Sequence, residues 1–148
     1  MSDGTKPLYR YSLSGIELIE SHVQPPASAE EAASGVNFNV NLENSVHEEH
    51  GWILCKVTVL VATQRSMLQV GKLAVMVAFK LADYATLIKT EGGKAIIPED
   101  LLATLNGIAI STTRGILFGV FKGTPLHAAL LPLLDVKAFA PELPLEAK

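Results

Sequence analysis

Three stretches of this chain place apolar side chains at every second residue, and a period of two leaves little choice but β-strand. From Val36 to Glu43, Val36, Phe38, Val40 and Leu42 fall on one side and Asn37, Asn39, Asn41 and Glu43 on the other. A strand of that kind has one buried and one wet face, the habit of an antiparallel sheet. From Trp52 to Ala62, Ile53, Cys55, Val57, Val59 and Val61 make a wholly apolar face, while Trp52, Leu54, Lys56, Thr58 and Leu60 make a mixed, partly covered one. The pattern returns from Leu68 to Leu81, with Leu73, Val75, Val77 and Phe79 opposite Lys72, Ala74, Met76 and Lys80, and Thr63-Gln64-Arg65-Ser66 reads as the hairpin turn between the two. An earlier strand is less regular: Tyr9, Tyr11 and Leu13 share one parity, Ile16 and Leu18 the other. One extra residue flips the alternation, so a bulge is expected at Ser14-Gly15. Residues 24–35, rich in Pro, Ala and Ser, are expected to be an exposed, mobile connection.

The last third changes period. Pro98 suits the first turn of a helix, Glu99 and Asp100 sit at its positive end, and Gly123 with Pro125 supplies a stop, which predicts a helix from about Pro98 to Lys122. Within it Ala103, Gly107, Ser111, Gly115 and Gly119 recur at every fourth position, a stripe that winds slowly because four residues exceed one 3.6-residue turn. Interior glycines cost roughly 1 kcal/mol each against Ala. Close approach of another helix or sheet would offset that; otherwise the glycines merely loosen the helix. Beyond it, Leu126, Leu130, Leu131, Leu133 and Leu134 crowd between and after two prolines, Pro125 and Pro132. Such a run either packs as an extended strap on the sheet or lines an apolar groove.

Composition narrows the function. Of 148 residues 49% are hydrophobic and only 18% charged, more apolar surface than a core of this size absorbs, which points to a subunit interface or to apolar partners. A net charge of -3 without clustered Lys and Arg speaks against nucleic acid. The uncharged run from Leu101 to Thr113 is shorter than the roughly 18 residues that spanning a bilayer requires. The first residues lack the basic head and apolar stretch of a secretory signal, and the one cysteine, Cys55, cannot form an internal disulfide, so a reducing cytoplasm is the expected compartment.

Catalytic signals are few. His47-Glu48-Glu49-His50 sets two imidazoles three residues apart, whereas a zinc-protease helix needs them four apart, and a zinc site wants at least three protein ligands. It is read as a polar turn between strands, with no metal expected. Cys55 lies on an apolar strand face and reads as a small hydrophobe, and His127 has no acidic neighbour before Asp135. Glu91-Gly92-Gly93-Lys94 is too short for a phosphate loop and lacks the following Ser or Thr. The expectation is no catalytic residue, no cofactor and no enzyme.

The stretch from Arg114 to Phe139, RGILFGVFKGTPLHAALLPLLDVKAF, together with the order of elements before it, resembles the SecB family of bacterial export chaperones. That family pairs an Arg-Gly-like helix end with a Gly-Thr-Phe-Pro turn, a Leu-x-Pro strap and an Asn-Phe or similar helix start. The resemblance implies an α+β fold with a four-stranded antiparallel sheet and one long helix, a single domain over residues 1–148, a homotetramer built as a dimer of dimers, and ATP-independent holding of unfolded or precursor polypeptides in apolar grooves. On that expectation the small-residue stripe of Gly107, Ser111, Gly115 and Gly119 serves the oligomer interface, and the candidate lining of the client grooves is Trp52, Leu54 and Leu60 on the mixed sheet face with Ile96, Ile97, Leu126, Leu130 and Leu133 near the helix.

Two departures qualify what is implied. Members that deliver clients to the motor ATPase SecA carry acidic residues on the sheet, whereas here the first strand reads Gly15-Ile16-Glu17-Leu18-Ile19-Glu20 and the fourth Gln69-Val70-Gly71-Lys72. Lys72 reverses the charge expected there, which puts SecA in doubt as a partner. Pro141 and Pro144 break the family's second helix, so a C-terminal helix is expected to be short or missing, with 140–148 a tail. That resembles divergent SecB-like chaperones dedicated to toxin–antitoxin pairs, an alternative to export that names an antitoxin as partner. A carrier of small apolar ligands is the third reading.

Overall fold

The computed structural model describes residues 9–25, 28, 30, 35–127, 129–134 and 145–146. Four long strands, β1 (Tyr11–Val23), β2 (Val36–His47), β3 (Trp52–Thr63) and β4 (Gln69–Leu81), form one antiparallel sheet in the order β1-β4-β3-β2. A helical turn α1 (Tyr84–Leu87) and a hairpin, β5 (Lys89–Glu91) and β6 (Lys94–Ile96), lead to the long helix α2 (Glu99–Phe121). A short strand β7 (Leu145–Glu146) pairs with β6 and completes a second sheet, β5-β6-β7. The α+β class, the four strands and the long helix agree with the sequence reading. Most of the 24–35 connection and of the 140–148 tail lies outside the described residues, as do residues 135–144 where a C-terminal helix would begin.

The hairpin β5-β6 was not foreseen. Gly92 and Gly93, at φ +57° and +77°, form its two-residue turn, for which positive φ at both positions is the requirement. Glu91-Gly92-Gly93-Lys94, dismissed as a phosphate loop, is that turn.

The alternation of the strands becomes burial through α2, which lies across β3 and β4. On β3, Ile53, Cys55, Val57, Val59 and Val61 are all 0% exposed, and fully burying one such aliphatic side chain contributes about 1.5–3 kcal/mol. Gly71 on β4 permits the closest approach: a Cβ there would stand 3.0 Å from Phe121 Cζ at the end of α2 and 3.3 Å from Leu126 Cδ1. On β1 the expected bulge is present between Leu13 and Gly15, and a second lies between Leu18 and Glu20. Each resets the parity, so Tyr11 and Leu13, then Ile16 and Leu18, then Ser21 and Val23 all pair with inward residues of β4.

Helix α2 buries Leu101, Leu105, Ala109, Thr113, Leu117 and Phe121, a row that also recurs every fourth residue. The row of Ala103, Gly107, Ser111, Gly115 and Gly119 is offset from it by two residues, about 200° around the helix. The small stripe therefore faces away from the sheet: Ser111, Gly115 and Gly119 are exposed, and a Cβ at Gly115 or Gly119 would meet nothing within 4 Å. Close approach to their own sheet is not what Gly115 and Gly119 serve. By length and apolar content α2 also passes as a membrane span, longer than the run counted from the sequence, but its inward row forms the core and Arg114 interrupts it.

Candidate functional site

The side of the sheet away from α2 carries no helix among the described residues, and it is there that the mixed faces of the strands meet. Leu54 pairs with Ala78, Glu17 with Met76 and Gly15 with Ala78, so small residues on β1 and β4 alternate with long ones. The low ground between Trp52, Leu54 and Met76 is an open cavity of about 380 Å³ that also touches Gly15, Glu17 and His47. Leu60 continues the same face along β3, six residues or roughly 20 Å beyond Leu54. The far end of this face is charged. Lys72, paired in register with Leu60, places its ammonium 3.1 Å from Glu20, and His22 lies 3.0 Å from the same carboxylate. The Lys72 ammonium holds the Glu20 carboxyl below its ordinary value, against an opposing push from desolvation.

The eight residues expected to line a client site are not brought together. Trp52 and Leu54 share the outer cavity, and Leu60 lies along the same face. The leucine run lies on the helix side, as a strap: Arg114 of α2 donates from Nε to the Leu131 carbonyl (2.9 Å) and from a terminal nitrogen to that of Pro132 (3.0 Å). Leu131 is buried by this clasp, whereas Leu130 and Leu133 point outward, Leu133 at 89% exposure. Leu126 corrects the expectation: at 4% exposure, against Gly71, it is a core residue that a client cannot reach without local unfolding. Ile97 is likewise packed against the core, while Ile96 stands exposed on β6.

One apolar surface was not anticipated. Five of the eleven exposed large apolar side chains among the described residues are Tyr11, Leu13, Ile16, Leu18 and Ile19, all on β1. Phe118 on α2 is exposed as well. The parity switches on β1 were the signal for this row; they gave its facing, and only the position of α2 leaves it open.

One interior polar cluster joins β2, β3 and α2. Asn44 on β2 donates to Asn106 Oδ1 on α2 (2.7 Å) and to the Cys55 sulfur (3.2 Å), and Asn106 donates back to Asn44 (3.3 Å). Burial pushes the Cys55 thiol up to about 12, so it stays protonated and is no nucleophile. Three residues on from Asn44, where β2 ends, the loop to β3 draws His47, Glu49 and His50 together, with ligand atoms all within 4.8 Å of one another. The rings of His47 and His50 have centroids 4.6 Å apart, and those of His50 and Trp52 are also 4.6 Å apart.

No protein-family model matches the sequence, and no curated protein matches it. Among solved structures, the chain is similar to a SecB-like chaperone of Mycobacterium tuberculosis determined in complex with a ChAD peptide from an antitoxin. The likeness covers 86% of this chain and 87% of that one at 14% identity, with a TM-score of 0.54. The fold is therefore SecB-like, in agreement with the resemblance read from residues 114–139.

Proposed function

We propose that this chain is an ATP-independent chaperone that holds non-native polypeptide against the apolar patch on the outer face of its sheet. The observation that carries the reading is the face left open by the described residues, where Trp52, Leu54 and Met76 surround an open cavity and Leu60 lies farther along, beyond Lys56 and Thr58. Burial against such a face is non-directional and tolerates many client sequences. The exposed Leu130 and Leu133 of the strap offer a second apolar contact. On this reading the chain works without catalysis, in the cytoplasm, as a homotetramer whose contacts use the small-residue stripe of α2 and the open row of β1. SecA is left out, because Lys72 stands where the SecB resemblance expects a carboxylate.

The test is dilution of several unrelated unfolded proteins into buffer with and without the chain, following aggregation by light scattering. Wild type should delay aggregation of all of them, ATP should change nothing, and Leu54→Asp with Met76→Asp should lose most of the protection. Failure to protect any client, or unchanged protection by the double variant, overturns the reading. A dedicated antitoxin chaperone is the second reading, favoured by the antitoxin peptide in the structural neighbour; protection confined to one co-purifying partner distinguishes it.

A further inference from the structure

The loop joining β2 to β3 gathers two imidazoles and a carboxylate within four consecutive residues, and the backbone holds it in one shape. The His50 amide donates to the His47 carbonyl and the Gly51 amide to that of Glu48, both at 3.2 Å, and Gly51 turns the chain back at φ +68°. Of the two glutamates, Glu48 is engaged elsewhere: its carboxylate accepts from the Thr90 hydroxyl at 2.9 Å. Glu49 is the carboxylate left beside the rings, and it, His47 and His50 each offer a ligand atom within 4.8 Å of the others. An ion bound at roughly 2.0–2.2 Å to each ligand needs them somewhat closer, and the exposed Glu49 and His50 side chains can swing that far. His47 Nδ1 is also buried and has no hydrogen-bond partner among the described residues, so this ring carries an unmet polar atom.

We propose that His47, Glu49 and His50 bind one divalent transition-metal ion of the zinc class. Two imidazoles and one carboxylate suit zinc, cobalt or nickel and not magnesium or calcium, which prefer all-oxygen sites. Three protein ligands leave a coordination position for water or a group from a bound molecule. The sequence alone argued against a metal because the imidazoles were spaced wrongly for a helix; a tight loop removes that objection and adds the third ligand. The site stands at one end of the outer cavity, since His47 and Trp52 line both.

Trp52 is the only tryptophan and its ring centroid lies 4.6 Å from that of His50, so in the absence of client its fluorescence reports on this end of the sheet. Zinc chloride titrated into the full chain should change that fluorescence saturably, with one ion per chain by calorimetry, and magnesium should not. His50→Ala and Glu49→Gln, both at exposed positions away from the core, should each weaken zinc binding at least about tenfold, the lower end of what losing even a supporting partner costs. His22→Ala should leave it unchanged. No saturable zinc response from the wild-type chain, the same response to magnesium, or undiminished affinity in His50→Ala overturns the proposal. The measurement needs no client, so it fails or succeeds independently of the chaperone reading.

Discussion

The sheet has two edges, and both present alternate apolar residues toward α2, but the described residues of the chain cover only one of them. On β2, Val36, Phe38, Val40 and Leu42 pack against the core, the Asn44–Asn106 pair ties the strand to α2, and β7 approaches from the side. On β1, Tyr11, Leu13, Ile16 and Leu18 stay 37%, 54%, 47% and 48% exposed, and the Tyr11 ring reaches only the edge of Phe79, 6.3 Å between centroids. The pattern in the residues is the same; the difference is whether something of the same chain lies above it. An apolar row of that length on an edge strand is an association surface or an aggregation liability. Two bulges and a polar outer face with Glu17, Glu20 and His22 are the devices that keep such an edge from unrestrained pairing.

The largest expected effect breaks the comparison directly. Leu13→Asp with Ile16→Asp should lower the mass of the assembly by light scattering at micromolar concentration, with little change in the stability of each chain. Gly115→Leu, which enters open space in the single chain, should do the same if α2 packs on a copy of itself. Phe38→Asp on β2 should do the opposite, lowering the unfolding midpoint and leaving the mass of what remains folded unchanged. A wild-type chain that is already monomeric, or a β1 variant whose assembly keeps the wild-type mass, removes the role assigned to β1.

A smaller effect tests what holds β2 in place. Asn106 is fully buried, and replacing it with Ala leaves the half-buried Asn44 amide without its partner on α2. Leaving such a group unpaired costs about 1–3 kcal/mol. The expected outcome is a lower urea midpoint without change in mass; an unchanged midpoint shows that packing alone covers β2.

The smallest effect concerns the clasp between β1 and β4. Glu20 is held below its ordinary value by Lys72 first, with a further pull from His22, so the stability it contributes is full above the ordinary carboxylate pKa and is lost as pH falls through the depressed one. Both side chains of the Lys72–Glu20 pair are about a third exposed, at 32% and 37%, and salt screens them, so the contribution is slight. The urea midpoint of wild type should exceed that of Glu20→Gln at neutral pH, and the gap should close on acidification. A gap that persists at low pH assigns the difference to something other than the ion pair.

Much of this architecture is local and was legible in the chain itself. Period-two alternation determined the strands β2, β3 and β4 and which side of each is apolar, Pro98 and Gly123 bracketed α2 to within a residue, and the parity switch after Leu13 placed the first bulge. These follow from geometry that repeats within a few residues. What required the tertiary structure is everything that depends on residues far apart in sequence. Leu126 and Leu133 belong to one leucine run, and only the closeness of α2 to Gly71 and the clasp of Arg114 send the first inward and leave the second in solvent. The glycine stripe and the buried row of α2 share a period of four; which of the two meets the sheet was settled by packing, and so was which of the candidate client-binding side chains stay open to solvent. The His47, Glu49 and His50 cluster depends on a turn held by its own carbonyls, a shape that residue spacing along a chain does not express. Periodicity reports which residues share a face, and only long-range contact decides which face is covered.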